Sequence, residues 1–547
     1  MAQAQYVCAN CKRRKKRCDK LLPHCTQCKE LRAECIYSCY PETTEDMQSI
    51  QSRLMRLESF LPHSRGFGAA FSGADNNISC LPHPQVQPPS PPTPPISKSS
   101  DDSLSSSQKY LASLINSICH SEAAECTEED ICSTYFTHIN KWLPIISQKR
   151  FYSELNSLAP RRPETDLLLT CMYLLVREPC PVGPNGEMDK YHKGARHSYF
   201  SLQADYPVSI DLAQCGLLLA TYEHATGLVE QAYSTIWTCA GMMYSLRLQD
   251  RYLLNSECDD EQINCAEGHS LWWGILIRDR FINLEDQMRD RPLATRAPRL
   301  NDYMPVNIDA WESSPSTVPL LERRICDNNS GPLSGYSFSR EAQACYLLGE
   351  TLNIALTAPE TSELQMITVK LQDFLKRLMD PASGTWGTFC GATSMTISSM
   401  YRLYSNYSPG EDIITAQAKP HISPDAIFVL PAMTQIVIDI ADAFNEMFLT
   451  FNLTAIAPSY PYIMYRGGMQ VLLSGNFPNE KAERNFNAIR KCCWYFSHRW
   501  LIAVTYLATL EAAAIDLGIT LPSLGTFAKP NARLWSIQEY KNAFLFV

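Results

Sequence analysis

Residues 8–35 read CANCKRRKKRCDKLLPHCTQCKELRAEC, and the six cysteines in this stretch decide how the chain begins to fold. Cys8, Cys11, Cys18, Cys25, Cys28 and Cys35 follow the pattern C-x2-C-x6-C-x6-C-x2-C-x6-C. The unit C-x2-C-x6-C therefore occurs twice, offset by 17 residues. Each unit sets a pair of thiols on a tight turn and returns to a third after about two helical turns. Zinc bound by thiolate takes four ligands in a tetrahedron. One ion would leave two thiols idle. Two ions are satisfied by six thiolates if two of them bridge, and equivalent residues of the two units are the natural bridges, Cys8 with Cys25 being one such pair. Soft thiolates also suit Cu(I) and iron–sulfur clusters, but zinc needs no further machinery. So short a segment buries too little apolar surface to fold alone, so metal binding is expected to supply its folding free energy. Cys39 lies beyond the six and is not expected to ligate.

The two units differ in charge. Between the second and third cysteines of the first stand Lys12, Arg13, Arg14, Lys15, Lys16 and Arg17; the matching stretch of the second, Lys29–Glu34, is neutral. Residues 1–37 hold nine Lys/Arg against three acids, a net +6, which leaves -15 for the rest of a 547-residue chain whose total is -9. Two Zn2+ on six thiolates would lower the head only to about +4. A basic head on an acidic body is the asymmetry of a chain that meets a polyanion at one end. Arg and Lys neutralise phosphates and donate to guanine O6 and N7 in the major groove.

This pattern resembles the Zn2Cys6 binuclear cluster of fungal transcription factors, down to Pro23 two residues before the fourth cysteine. The resemblance implies that Cys8 and Cys25 are the bridging ligands. It also implies that Lys15 reads a CGG triplet, with Arg14 supporting it and the other basic residues holding phosphates. The alternative is a metal store or protein-docking zinc module attached to a helical protein of other function. The basic block also suits a nuclear localisation signal.

Beyond the cluster, Met47, Ile50, Leu54, Leu57 and Leu61 alternate at three and four residues, an a/d stripe of two heptads that ends at Pro62. Residues 38–62 are therefore expected to form a linker and a short parallel coiled coil joining two copies; a short helix packed on the body is the alternative. Residues 63–107 are rich in proline and serine and are expected to be a disordered tether.

The chain is expected to be mainly α, with a large all-helical body over 108–547. Leu167–Val176 and Gly216–Tyr222 are apolar nearly all round, as interior helices are. Ala342, Cys345, Leu348, Leu352 and Ala355 recur at helical spacing, and Pro-containing breaks such as Arg291-Pro292 separate helices. The sequence shows no secretory signal and no stretch approaching 18 uncharged apolar residues; the best, Leu501–Leu521, is broken by Glu511 and Asp516 and reads as a buried helix. The scattered cysteines read as core residues of an intracellular chain.

No G-x-S-x-G, P-loop or H-E-x-x-H motif is present, so no catalytic residue and no enzyme activity is expected. His192 and His197 are badly spaced to share a helical face, and adjacent Glu223 and His224 would point in different directions. Trp142-Leu143-Pro144-Ile145-Ile146, Tyr222-Glu223-His224, Leu271-Trp272-Trp273 and Asp290-Arg291-Pro292 are similar to the regulatory middle homology region of the same fungal factors, over roughly residues 130–310. Trp272, Trp273 and Phe281 are expected as core anchors, and Asp279 and Arg280 as partners of other helices.

Together these features predict a nuclear, zinc-dependent, sequence-specific DNA-binding factor holding two Zn2+ per chain. It is expected to act as a homodimer on CGG-containing double-stranded DNA, to engage the transcription machinery and to have no membrane association. The resemblance points to an activator of a secondary-metabolite gene cluster; a repressor, or a regulator of primary metabolism, is the alternative.

Overall fold

The computed structural model describes residues 11, 14, 16–21 and 25–31 of the cysteine-rich head. In the body it describes 106–119, 126–158, 160–179, 189–253, 259–288, 291–306, 324–325, 337–356, 361–380, 390–405, 413–418, 423–447, 452–475 and 479–524. The expected seam (Met47, Ile50, Leu54, Leu57, Leu61) and nearly all of the expected tether lie outside these residues. The body's first helix starts at Ser106, two residues before the expected boundary.

The protein is mainly α, as the sequence predicts. Among the described residues the sole sheet-like pairing is one antiparallel bridge, Tyr303 with Arg324. In the head, α1 spans Thr26–Glu30. The first part of the body holds α2 (Ser106–Cys119), α3 (Glu128–Thr134), α4 (Gln148–Leu155), α5 (Pro163–Val176), α6 (Lys190–Asp205), α7 (Ile210–Ala225), α8 (Val229–Ser245) and α9 (Asp259–Ile282). The second holds α10 (Ser337–Leu356), α11 (Thr361–Leu378), α12 (Cys390–Tyr404), α13 (Ile413–Ala418), α14 (Ala426–Met447), α15 (Pro461–Leu473), α16 (Glu480–Ser497) and α17 (Ile502–Asp516).

Local chemistry sets many of the helix starts. Thr127 and Asp130 form a reciprocal capping box at α3, and Ser147, Asp189, Ser209 and Asn479 cap α4, α6, α7 and α16 through their side chains. Pro163 and Pro461 stand at first-turn positions, where a missing N–H costs nothing.

Helix α7 is buried along its whole length and lies against α5, α6, α8 and α9. Gly216 allows that closeness: a Cβ there would fall 2.3 Å from the Tyr199 hydroxyl and 2.6 Å from Cys239 Sγ. Helix α9 continues the packing onto α10, and α10 onto α12, so one hydrophobic core runs through both parts of the body. Trp272, Trp273 and Phe281 are buried in it as expected. So are Cys132, Cys171, Cys215, Cys239, Cys345, Cys492 and Cys493. Burial pushes the thiols of Cys239 and Cys345 up to about 12, so these are core residues rather than reactive ones.

Two expectations need correction. Among the described residues, the helix apolar and long enough for a membrane span is α14, Ala426–Met447, not the Leu501–Leu521 stretch. Its packing between α12, α15 and α16 accounts for that composition. Within Leu501–Leu521, α17 is a core helix as expected, and its Glu511 accepts from Arg490 at 3.0 Å. Asp279 and Arg280 do not partner other helices. Asp279 accepts from the backbone N–H of Ala294 (3.1 Å) and Thr295 (3.0 Å), and Arg280 donates to the Arg296 carbonyl (3.2 Å). They pin the segment that follows Arg291-Pro292.

His269, on α9, is buried and its ring nitrogen donates to the Tyr303 carbonyl at 3.1 Å. Burial lowers its pKa from 6.5 to about 4. Between those values the unfolded chain binds a proton that the folded chain refuses, so this residue makes stability fall as pH drops from 6.5 towards 4. Urea-unfolding midpoints followed across that range should drop less steeply in His269→Gln than in the parent chain; parallel pH profiles would contradict this.

Candidate metal centre and nucleic-acid interface

The sulfurs of Cys11, Cys25 and Cys28 lie within 4.8 Å of one another, and all three residues are buried. Cys11 Sγ is 3.7 Å from Cys25 Sγ and 4.0 Å from Cys28 Sγ. A tetrahedron with Zn–S near 2.3 Å has edges of about 3.8 Å, so the Cys11–Cys25 separation is that of two ligands on one ion. A second group joins Cys18, Asp19 and Cys25. Cys25 is the thiol common to both. The residues present therefore fit a thiolate-bound metal. Bound zinc would neutralise part of the thiolate charge and tie together a segment whose described residues bury little beyond the cysteines themselves. Cys8 and Cys35 lie outside the described residues.

Helix α1 explains how Cys25 and Cys28 are aimed. Cys25 is its N-cap, and its sulfur accepts from the Cys28 N–H at 3.4 Å. Asp19 accepts from the Thr26 N–H at 3.2 Å and from the Leu21 N–H at 3.5 Å. Hydrogen bonds from Thr26, side chain first, hold the Asp19 carboxyl below the usual carboxylate range. Lys20, between these partners, has a positive φ of 60°, as a tight turn requires. In the sequence Asp19 registers only as a charge. Its sole signal was a carboxylate next to a ligand cysteine, and the helix end it serves is seven residues away.

Lys16 N–H donates to the Cys11 carbonyl at 3.0 Å, so the chain turns directly after the thiol. Arg14, Lys16 and Arg17 are exposed. Lys12, Arg13 and Lys15 lie outside the described residues.

The body offers no comparable cluster among its described residues; its charged groups hold the fold. Glu223 pairs with His192 (3.1 Å) and with Arg196, while His224 meets Glu285 at 2.8 Å on the other side. The two neighbours do point apart, and His197 is exposed while His192 is buried. The Trp142–Ile146 segment is clamped: Trp142 donates to the Thr454 carbonyl (3.0 Å), Gln214 to that of Ile145 (2.5 Å), and Ser147 N–H to Glu267 (2.6 Å).

Residues 6–42 match the fungal Zn(2)-Cys(6) binuclear cluster domain, and residues 132–320 match the fungal specific transcription factor domain. The chain therefore carries a match to each of two domains found in fungal transcription regulators, the zinc cluster at its head and the transcription factor domain in its helical body. It is similar to the depudecin biosynthesis cluster-specific transcription activator DEP6 of Fusarium langsethiae, with 33% identity over 84 residues. That match covers 14% of this chain and 14% of the relative's length.

Replacing Asp19 with alanine removes the acceptor for Thr26 N–H while keeping every thiol. Zinc affinity, read by competition with a chromophoric chelator, should weaken by about 10- to 100-fold, the usual effect of losing a group that supports a metal ligand. Unchanged affinity would remove Asp19 from the site.

Proposed function

We propose that this chain is a zinc-dependent, sequence-specific DNA-binding activator, acting in the nucleus on promoters of a secondary-metabolite gene cluster. The observation that carries the reading is Cys25, the sulfur shared by two ligand groups, with exposed Arg14, Lys16 and Arg17 beside it. A shared thiolate is what six cysteines need to hold two ions. In this reading Cys8 is the second bridge, and Cys11, Cys18, Cys28 and Cys35 complete two tetrahedra.

Lys15 and Arg14 read a CGG triplet, while Lys12, Arg13, Lys16 and Arg17 hold phosphates. Phosphate contacts position the head and base contacts specify the site. A second copy, joined through Met47, Ile50, Leu54, Leu57 and Leu61, would place two heads on paired triplets, with spacing set by the intervening linker. The activator role and the cluster setting draw support from the role for which DEP6 is named and from the resemblance of the middle region. Lys12–Arg17 doubles as the nuclear import signal, and the helical body contacts the transcription machinery.

Gel shift of the full-length, zinc-loaded chain tests this. Lys15→Ala should weaken binding to a CGG-bearing duplex by about 1–3 kcal/mol and hardly change binding to a scrambled duplex, with zinc content intact. Chelation should abolish specific binding, and added salt should weaken it steeply as phosphates regain counterions. Equal preference for both duplexes before and after the substitution would exclude the assignment.

A further inference from the structure

Helix α8 sets Tyr233, Trp237, Gly241 and Tyr244 on one face, at successive spacings of four, four and three residues. Trp237 is 41% exposed and Tyr244 37%. Gly241 is exposed as well, and a Cβ built on it meets nothing within 4 Å. The face is an aromatic stripe with a notch between its last two rings. We propose that this stripe docks the chain's own proline-rich segment, residues 88–95, as a polyproline II helix.

The outer rings of the stripe are held in place. The Tyr233 hydroxyl donates to the Pro292 carbonyl at 2.9 Å, and the Tyr244 hydroxyl accepts from the Arg296 N–H at 2.8 Å. The guanidinium groups of Arg291 and Arg296 lie 5.3 Å and 5.8 Å from the centres of those two rings. Trp237 stands edge-on to Tyr233, with ring centres 6.1 Å apart. Aromatic rings fixed in this way lose little freedom when a guest arrives. A row of exposed rings is also the surface that proline-rich ligands use, because pyrrolidine rings pack on aromatic faces and the polyproline II shape is preformed.

Spacing selects the segment. Residues 88–95 read PPSPPTPP, so proline pairs repeat every three residues. A polyproline II helix has three residues per turn and rises about 3.1 Å per residue, which would set successive pairs on one edge about 9.3 Å apart. Trp237 and Tyr244 are seven residues apart on α8, about 10.5 Å along its axis. Two successive pairs therefore fit on the two rings, and the residue between them crosses at Gly241, where a side chain would stand in the way. Residues 88–95 carry no charge, so docking them desolvates no ion. The exposed indole of Trp237 supplies an N–H for one of the guest's carbonyls, which a polyproline II helix leaves unbonded.

The connecting chain is long enough. Ser106, where α2 starts, is eleven residues on from Pro95, and eleven residues span up to about 36 Å. Helix α2 lies on α6, with the Tyr110 and His197 rings 5.9 Å apart, and α6 meets α8 where Arg196 donates to Thr235 at 2.9 Å. Packed helices are about 8–10 Å apart, so two such steps cover about 20 Å. A short tether also holds its segment at an effective concentration near the millimolar range, so a weak contact is occupied.

The inference stands apart from the DNA-binding reading and is tested on the full-length, zinc-loaded chain without DNA. The photo-cross-linker p-benzoylphenylalanine replaces Gln87 in one preparation and Ile96 in another, so every proline of the segment stays in place. After irradiation, mass spectrometry should find cross-links within one molecule to α8 or to residues 291–296 in both preparations. Gly241→Leu fills the notch and favours the helix, so the circular dichroism spectrum should be unchanged. It should cut those cross-links by about tenfold or more, as should Pro91→Ser combined with Pro92→Ser, whereas Trp237→Phe, which keeps a ring, should retain most of them. Cross-links that land on other elements, that join two molecules, that fail to form, or that persist at the parent level in Gly241→Leu would overturn the proposal.

Discussion

Sulfur–metal geometry is the constraint on which the head depends. Four thiolates on one ion sit at the corners of a tetrahedron whose edges are about 3.8 Å, and the Cys11–Cys25 pair already stands at 3.7 Å. Among the described residues of this segment the buried apolar cluster consists of Cys11, Cys25 and Cys28 themselves. Helix α1 and Asp19 act on that arrangement from outside, one by capping with a cysteine sulfur, the other by fixing the backbone next to it. Lys16 N–H also returns to the Cys11 carbonyl, which ties the exposed Lys16 to the backbone of the thiol.

The body is organised by a different device. Helix α9 carries Glu267, Arg278, Asp279 and Arg280, all buried. Glu267 takes Arg150 at 2.6 Å, Arg278 lies 3.3 Å from His224, and Asp279 with Arg280 holds residues 294–296. Buried ion pairs contribute little net stability, because desolvation offsets the attraction, but removing one partner is costly. Four such groups on one helix specify which neighbour lies where. They also explain why the segments that resemble the middle homology region cluster around α9: Trp142–Ile146, Tyr222–His224 and Arg291-Pro292 all meet this helix or the chain it pins.

What the sequence made legible was local. Cysteine spacing, the basic block and the apolar runs of α5 and α7 are read within a few residues; among the described residues Cys11, Cys25 and Cys28 come together, and α5 and α7 are core helices. Glu223 and His224 diverge because adjacent helical positions must. Long-range choices were not legible. Asp279 was expected to seek another helix, but the nearest backbone donors belong to a loop fifteen residues on. Asp19 looked like a counter-charge because its helix lies across a turn. Helix α14 was passed over because its few polar residues interrupt an uncharged run without interrupting an apolar face. In each case the deciding partner came from folding rather than from the neighbouring sequence.

Metal stoichiometry tests the central claim most directly. Native mass spectrometry of the full-length chain, with elemental analysis of the same sample, should find two zinc ions per chain, and Cys25→Ser should disturb both sites together because both share that sulfur. A chain that holds a single ion when fully loaded, or a Cys25→Ser variant that still holds two with unchanged affinity, would contradict the account.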